Sequence, residues 1–157
     1  MPDQLTHIDQ QGNAVMVDVG DKQITKREAT AEGWIQLTAD GYDAITAGRI
    51  KKGDVLAIAQ LAGIQAAKRT SDLIPLCHPL PLEGVKVTVE AIEDNKVYVS
   101  ARIRCTWKTG IEMEALTSVS AALLTVYDMC KAIDKGMVIG PIQLVEKSGG
   151  RSGHWSR

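Results

Sequence analysis

"GVKVTVEAIEDNKVYVSARIRCTW" runs from Gly84 to Trp107 and alternates apolar with polar residues on both sides of the break Glu93–Lys96. A period of two is the pattern of a strand with one buried face. In the first run Val85, Val87 and Val89 share one face, with Lys86, Thr88 and Glu90 on the other. In the second run Val97, Val99, Ala101, Ile103, Cys105 and Trp107 face one way. Tyr98, Ser100, Arg102, Arg104 and Thr106 face the other. With "EDNK" as the turn, the stretch reads as a β-hairpin. Cys105 is thereby a core-facing strand residue.

The flanks extend this reading. "IEMEALTSVSAALLTVYDMCKAIDK" (Ile111–Lys135) has no Pro or Gly and reads as a long helix. Its apolar stripe is Met113, Leu116, Val119, Leu123, Val126, Cys130 and Ile133, at helical spacing. Upstream, Asp54 suits an N-cap for "VLAIAQLAGIQAAKR", because its carboxylate can accept from free backbone N–H groups. The apolar positions there are Val55, Ile58, Leu61 and Ala62. Lys68 and Arg69 close that helix at its favourable dipole end. "WIQLT" (Trp34–Thr38) is a strand, and "ADGYDAITAG" a turn with a short helix. "MVIGPIQLVEK" (Met137–Lys147) is the last strand. The order of the main elements is β-α-β-β-α-β, the split motif of the ferredoxin-like fold. The fold class expected is α+β, an antiparallel sheet covered on one face by two main helices. The opposite face would carry Lys86, Glu90, Arg102 and Arg104.

Outside this core the signal is weaker. "VMVDVG" (Val15–Gly20) reads as a short strand. Asp21–Gly33 is charged, with no clear apolar face, and reads as a solvated segment that a ligand would order. The expected organisation is one domain over 1–157. Within it, 1–14 and 148–157 are flexible, 15–33 is a partly ordered arm and 34–147 is the core.

Composition narrows the function. The chain has 157 residues, a formal net charge of -1 and no Phe, so its core is aliphatic. Near-zero net charge argues against general nucleic-acid binding, which needs a basic surface. No stretch is apolar enough to span a bilayer, and "MPDQLTHIDQQGN" has no signal-peptide core, so a cytoplasmic protein is expected. Cys77, Cys105 and Cys130 are odd in number and widely spaced, which suits reduced thiols.

Three features can carry chemistry. Asp128 and Lys131 are three positions apart and share a helix face. They are either a surface ion pair or a carboxylate–ammonium pair for proton transfer. Glu112 and Glu114 stand at the other end of the same helix. At about 1.5 Å and 100° per residue, Glu114 and Asp128 lie roughly 21 Å apart and within roughly 40° of one direction. One small molecule cannot use both within one chain unless it is long; two antiparallel copies would bring the two ends together. The second feature is Cys77–His78, bracketed by Pro75, Pro79 and Pro81. Adjacent residues in an extended loop diverge, so they make a poor nucleophile–base pair. A zinc site lacks further ligands. Two readings remain: a structural His78 packed in a proline-locked loop, or a His78 that the stiffened loop presents to a ligand. The third is "KSGGRSG" (Lys147–Gly153), either a frayed, soluble tail or a loop where glycines and two cations meet phosphate. The pairs Lys51–Lys52, Lys26–Arg27 and Lys68–Arg69 add further cations.

The blocks "MVDVG", "KREATA", "KKGDVLAIAQLAGIQAAKRTSDLIPLCHPLPL", "TGIEMEALTSVSAALLTVYDMCKA" and "MVIGPIQLVEKSGGRSG" resemble the cyclic pyranopterin monophosphate synthase (MoaC) family of molybdenum-cofactor biosynthesis. The resemblance covers Leu5–Gly153 and leaves out the final "HWSR". It implies a lyase that rearranges 3′,8-cyclo-7,8-dihydro-GTP to cyclic pyranopterin monophosphate and releases pyrophosphate. It implies a ferredoxin-like homohexamer, a trimer of dimers with active sites at the dimer interface. By position, Asp128, Lys131 and Lys52 match catalytic residues, with Lys51 standing beside Lys52. Leu76, Cys77, His78, Met113 and Glu114 match substrate-binding positions, and Glu112 and Arg27 match functional ones; Lys147 joins them through the phosphate reading above. No tightly bound cofactor is implied, and Mg²⁺ would come with the substrate phosphates. A nucleotide-sensing module without chemistry, and a thiol or zinc hydrolase at Cys77–His78, are the competing functions.

Overall fold

The computed structural model describes residues 6–157. Strand β1 is Thr25–Gln36, followed by α1 (Ala39–Thr46), α2 (Val55–Lys68) and the single turn α3 (Thr70–Leu73). The hairpin β2 (Leu82–Ile92) and β3 (Lys96–Trp107) leads into α4 (Glu112–Cys130), then β4 (Val138–Ser148) and the short β5 (Trp155–Ser156). The antiparallel sheet has the order β2-β3-β1-β4-β5. Its first four strands form the ferredoxin-like arrangement, with β1 and β3 at the centre. The hairpin folds as its alternation requires. Val97, Val99, Ala101, Ile103 and Cys105 are buried against the helices. Asp94 and Asn95, both with positive φ (61° and 56°), make the turn.

Strand β1 departs from expectation. It begins at Thr25 rather than Trp34, so most of the segment read as a solvated arm is the central strand. Its buried positions are Ala29, Ala31, Gly33 and Ile35, and small residues carry little apolar signal. They are small because α4 crosses close above. A Cβ on Gly33 would stand 2.9 Å from both Leu123 Cδ1 and Val119 Cγ1. Arg27, expected on a loose arm, is held on this strand opposite Cys105.

Helix α2 also turns differently. Asp54 caps it as expected, its side chain accepting from the Ala57 N–H. The buried face, however, is Val55, Ala59, Gly63, Ala66 and Ala67. Ser118 of α4 donates to the Gly63 carbonyl at 2.8 Å, and so close an approach admits only small side chains. Ile58 and Leu61 therefore point outward, and Leu61 is 65% exposed. On α4 the stripe from Val119 to Cys130 is buried, whereas Met113 and Ile133 at its ends are exposed.

Val15–Gly20 is not a strand; among the described residues the pairing nearby is the isolated bridge between Ile8 and Ala14. Side chains hold the segment instead. His78 Nε2 lies 2.7 Å from the Val17 carbonyl, and Lys108 donates to the Gly20 carbonyl at 2.6 Å. The end of the chain, read as a loose tail, carries β5 paired to β4. Among the described residues no helix is long and apolar enough to cross a membrane.

Candidate active site

The residues singled out from the sequence gather in two places, at opposite ends of α4. The first lies at its C-terminal end. Lys52, in the turn before α2, donates to Asp128 Oδ2 and to the Asp128 carbonyl, both at 3.0 Å. Lys131 Nζ lies 2.8 Å from Asp128 Oδ1. All three side chains are exposed. The Lys131 hydrogen bond, and then that of Lys52, holds the Asp128 carboxyl down to about 2. Lys131 is correspondingly raised by Asp128. The carboxylate stays ionised at neutral pH and aligns two ammonium groups, which can donate protons or offset negative charge. Lys52, not Lys51, makes these contacts.

The second place surrounds the N-terminal end of α4. A cavity of about 270 Å³ is lined by Leu76, Cys77, His78, Met113 and Glu114, together with Val17, Val19 and Lys22. The Val17 carbonyl requires a proton on His78 Nε2, which leaves Nδ1 as the acceptor of a neutral ring. Glu114 is only 4% exposed, and burial pushes its carboxyl up to about 7. The neighbouring Glu112 charge adds to the rise. A carboxyl poised near neutrality is suited to giving and taking a proton. Burial, and then Glu114, raises the Cys77 thiol, which opposes a thiolate nucleophile there. Among the described residues no group of three His, Cys, Asp or Glu is arranged to hold a metal ion.

A larger cavity of about 790 Å³ adjoins this one, sharing Lys22, Thr109 and Gly110. Arg27, Lys108 and Arg151 bring three more cations to its walls, against Asp21 alone. Thr25 Oγ1 and Arg27 Nε, on the same wall, are buried and have no hydrogen-bond partner among the described residues. Buried polar atoms are costly unless something meets them, and a phosphate oxygen accepts from both types of donor. Behind Arg27, Lys147 pairs with Glu112 at 2.8 Å beside Gly149 and Ser152.

Lys22, Lys108 and Thr109 of this wall were not singled out from the sequence. Their signal is topological: pairing of Thr25 with Trp107 lays the Asp21–Gln23 turn beside Lys108–Gly110. Within one chain the Lys52–Asp128–Lys131 cluster and the double cavity stay apart, separated by the length of α4.

Comparison with known proteins bears on this arrangement. The MoaC family model matches residues 16–150. A cyclic pyranopterin monophosphate synthase of Heliobacterium modesticaldum is 57% identical over 157 residues, covering 99% of this chain and 98% of the relative. One of Desulfitobacterium hafniense is 54% identical over 154 residues, covering 98% and 94%. A molybdenum cofactor biosynthesis bifunctional protein of Synechococcus elongatus is 57% identical over 143 residues, covering 90% of this chain and 45% of its own length. Matched over residues 16–150 by the family model and along nearly its whole length by two of these relatives, the chain belongs to the MoaC family.

Proposed function

We propose that the protein is a cyclic pyranopterin monophosphate synthase of molybdenum-cofactor biosynthesis. It converts 3′,8-cyclo-7,8-dihydro-GTP to cyclic pyranopterin monophosphate and pyrophosphate. The observation that carries this reading is the joined cavity. Its cationic part suits a triphosphate, and its smaller part offers His78 and a proton-holding Glu114 to a pterin-forming base. Their sizes fall around the about 300–1,000 Å³ usual for small-molecule sites.

The roles follow from the chemistry. Arg27, Lys147 and the cations of the large cavity bind the phosphates and offset charge on the departing pyrophosphate. Leu76, Cys77 and Met113 shape the ring pocket, while Glu112 orients Lys147. Lys52, Asp128 and Lys131 supply proton transfer and charge stabilisation during ring rearrangement. Because they lie at the far end of α4, they reach the ligand from a second copy packed antiparallel. The active site is thus shared across a dimer interface, in a cytoplasmic homohexamer of three dimers. Exposed Ile58, Leu61, Leu73 and Leu124 on the helices favour such assembly. Mg²⁺ enters with the substrate phosphates rather than on protein ligands.

The test is turnover of the cyclic dihydro-GTP by purified protein, following pterin product and pyrophosphate. Asp128→Asn is expected to lower kcat by about 10²-fold or more. Ligand bound tightly but recovered unchanged from the unaltered protein would instead favour the nucleotide-sensing module.

A further inference from the structure

The loop between β4 and β5 forms one lip of the cationic cavity, through Gly150, Arg151 and Ser152. It is built from residues that resist order. Gly149, Gly150 and Gly153 all have positive φ, at 99°, 73° and 63°. Glycine loses more freedom on ordering than other residues, so such a loop stays in place only when both ends are held. One end is held by β4, where Ser148 pairs with Glu28 of β1. There the backbone passes so close to β1 that a Cβ on Gly149 would overlap the Lys26 carbonyl, and one on Gly150 the Arg27 guanidinium.

The other end is held by β5. Lys147 pairs with Trp155 and Glu146 with Ser156. The Arg157 N–H donates to the Val145 carbonyl at 2.9 Å, and its Nε to the Leu144 carbonyl at 3.1 Å. Its guanidinium lies 6.0 Å from the centre of the Trp155 ring. Inside the loop, Gly153 donates to the Gly150 carbonyl at 3.3 Å. These contacts lie outside the core: every residue from Arg151 to Arg157 is exposed, Trp155 to 39%. Several contacts are thus made by three residues, Trp155 to Arg157, that take no part in the buried core. They lie beyond the residues that the family model matches.

We propose that β5 is a strap that pins the Gly149–Gly153 loop against Arg27, with Trp155 and Arg157 as positioning residues for phosphate binding. The proposal rests on the reading of the cationic cavity as the phosphate site. Without the strap, Arg151 and the loop N–H groups must be ordered anew each time a phosphate binds, and that ordering is subtracted from affinity.

The test uses inorganic pyrophosphate as the probe, with calorimetry on the full chain and on a chain lacking residues 154–157. Deletion is expected to weaken binding about tenfold, the scale of ordering one or two side chains with their backbone. Amide exchange should quicken at Gly149–Gly153 and stay unchanged in β1 and α4, with the melting temperature preserved. Arg157→Pro keeps the chain length but removes the N–H donor and the guanidinium, and should weaken binding in the same direction. Trp155→Ala should weaken binding in the same direction, and Trp155→Phe, which retains an aromatic ring, should recover it. Equal pyrophosphate affinity in the deleted, Arg157→Pro and full chains overturns the strap alone. A full chain that does not bind pyrophosphate overturns the phosphate site, and the strap with it.

Discussion

Burial of Glu114 makes a prediction with a definite sign. The carboxyl sits in the first turn of α4, and burial lifts it from the ordinary 4.5 to about 7. Between those values the folded chain keeps a proton that the unfolded chain has released. More protons are bound in the folded state, so stability falls as pH rises. The favourable contribution is complete below about pH 4.5 and is lost as pH climbs through about 7. At about 1.4 kcal/mol per pH unit, the whole gap is worth about 3 kcal/mol. About 2 kcal/mol of it falls between pH 5.5 and 8.5. The perturbation is Glu114→Gln, which keeps the shape and cannot ionise. Urea unfolding of both chains at equal protomer concentration, at pH 5.5 and 8.5, measures the difference. The Gln variant should gain about 2 kcal/mol on the unaltered protein across that interval, other titrating groups cancelling. A stability difference that does not change with pH would refute the reasoning. The same ionisation should appear as a break near pH 7 in kcat/KM of the unaltered protein.

Three further outcomes are expected. Mixing inactive Glu114→Ala and Asp128→Ala subunits should restore part of the turnover, since some interfaces then hold one intact site; no recovery in well-exchanged oligomers would count against a shared site. Gly33→Ala should cost about 1–3 kcal/mol in chemical denaturation, because the new methyl meets Leu123 and Val119 at 2.9 Å under a buried helix. Cys77→Ser should lose activity only in part, since its raised thiol lines the cavity without acting as nucleophile; complete loss with folding intact would return weight to the thiol hydrolase.

What could be read before the structure, and what could not, divides along a physical line. The hairpin β2–β3 was legible because its buried face is made of Val, Ile and Cys, large enough to register against charged neighbours. Strand β1 was not, because Ala29, Ala31 and Gly33 are the price of letting α4 approach. Close packing thus removes the hydrophobic signal where the contact is tightest. The same cause inverted α2, where Gly63 faces Ser118 and the larger Ile58 and Leu61 turn away. For the candidate site the line falls between local and long-range geometry. Spacing alone paired Asp128 with Lys131. The arrival of Lys52 at the same carboxylate, 76 residues distant in sequence, follows only from the packed fold. Lys22 and Lys108 share the cationic wall because β1 begins at Thr25, which aligns it with the end of β3. The separation of the two clusters was nevertheless readable from helix arithmetic, because a continuous helix is a ruler. A rigid α4 cannot bend Asp128 back to Glu114, so a catalytic site that uses both requires a second chain. On the proposed shared site, assembly is part of the chemistry, and dilution to the point of subunit dissociation should cost turnover before it costs fold.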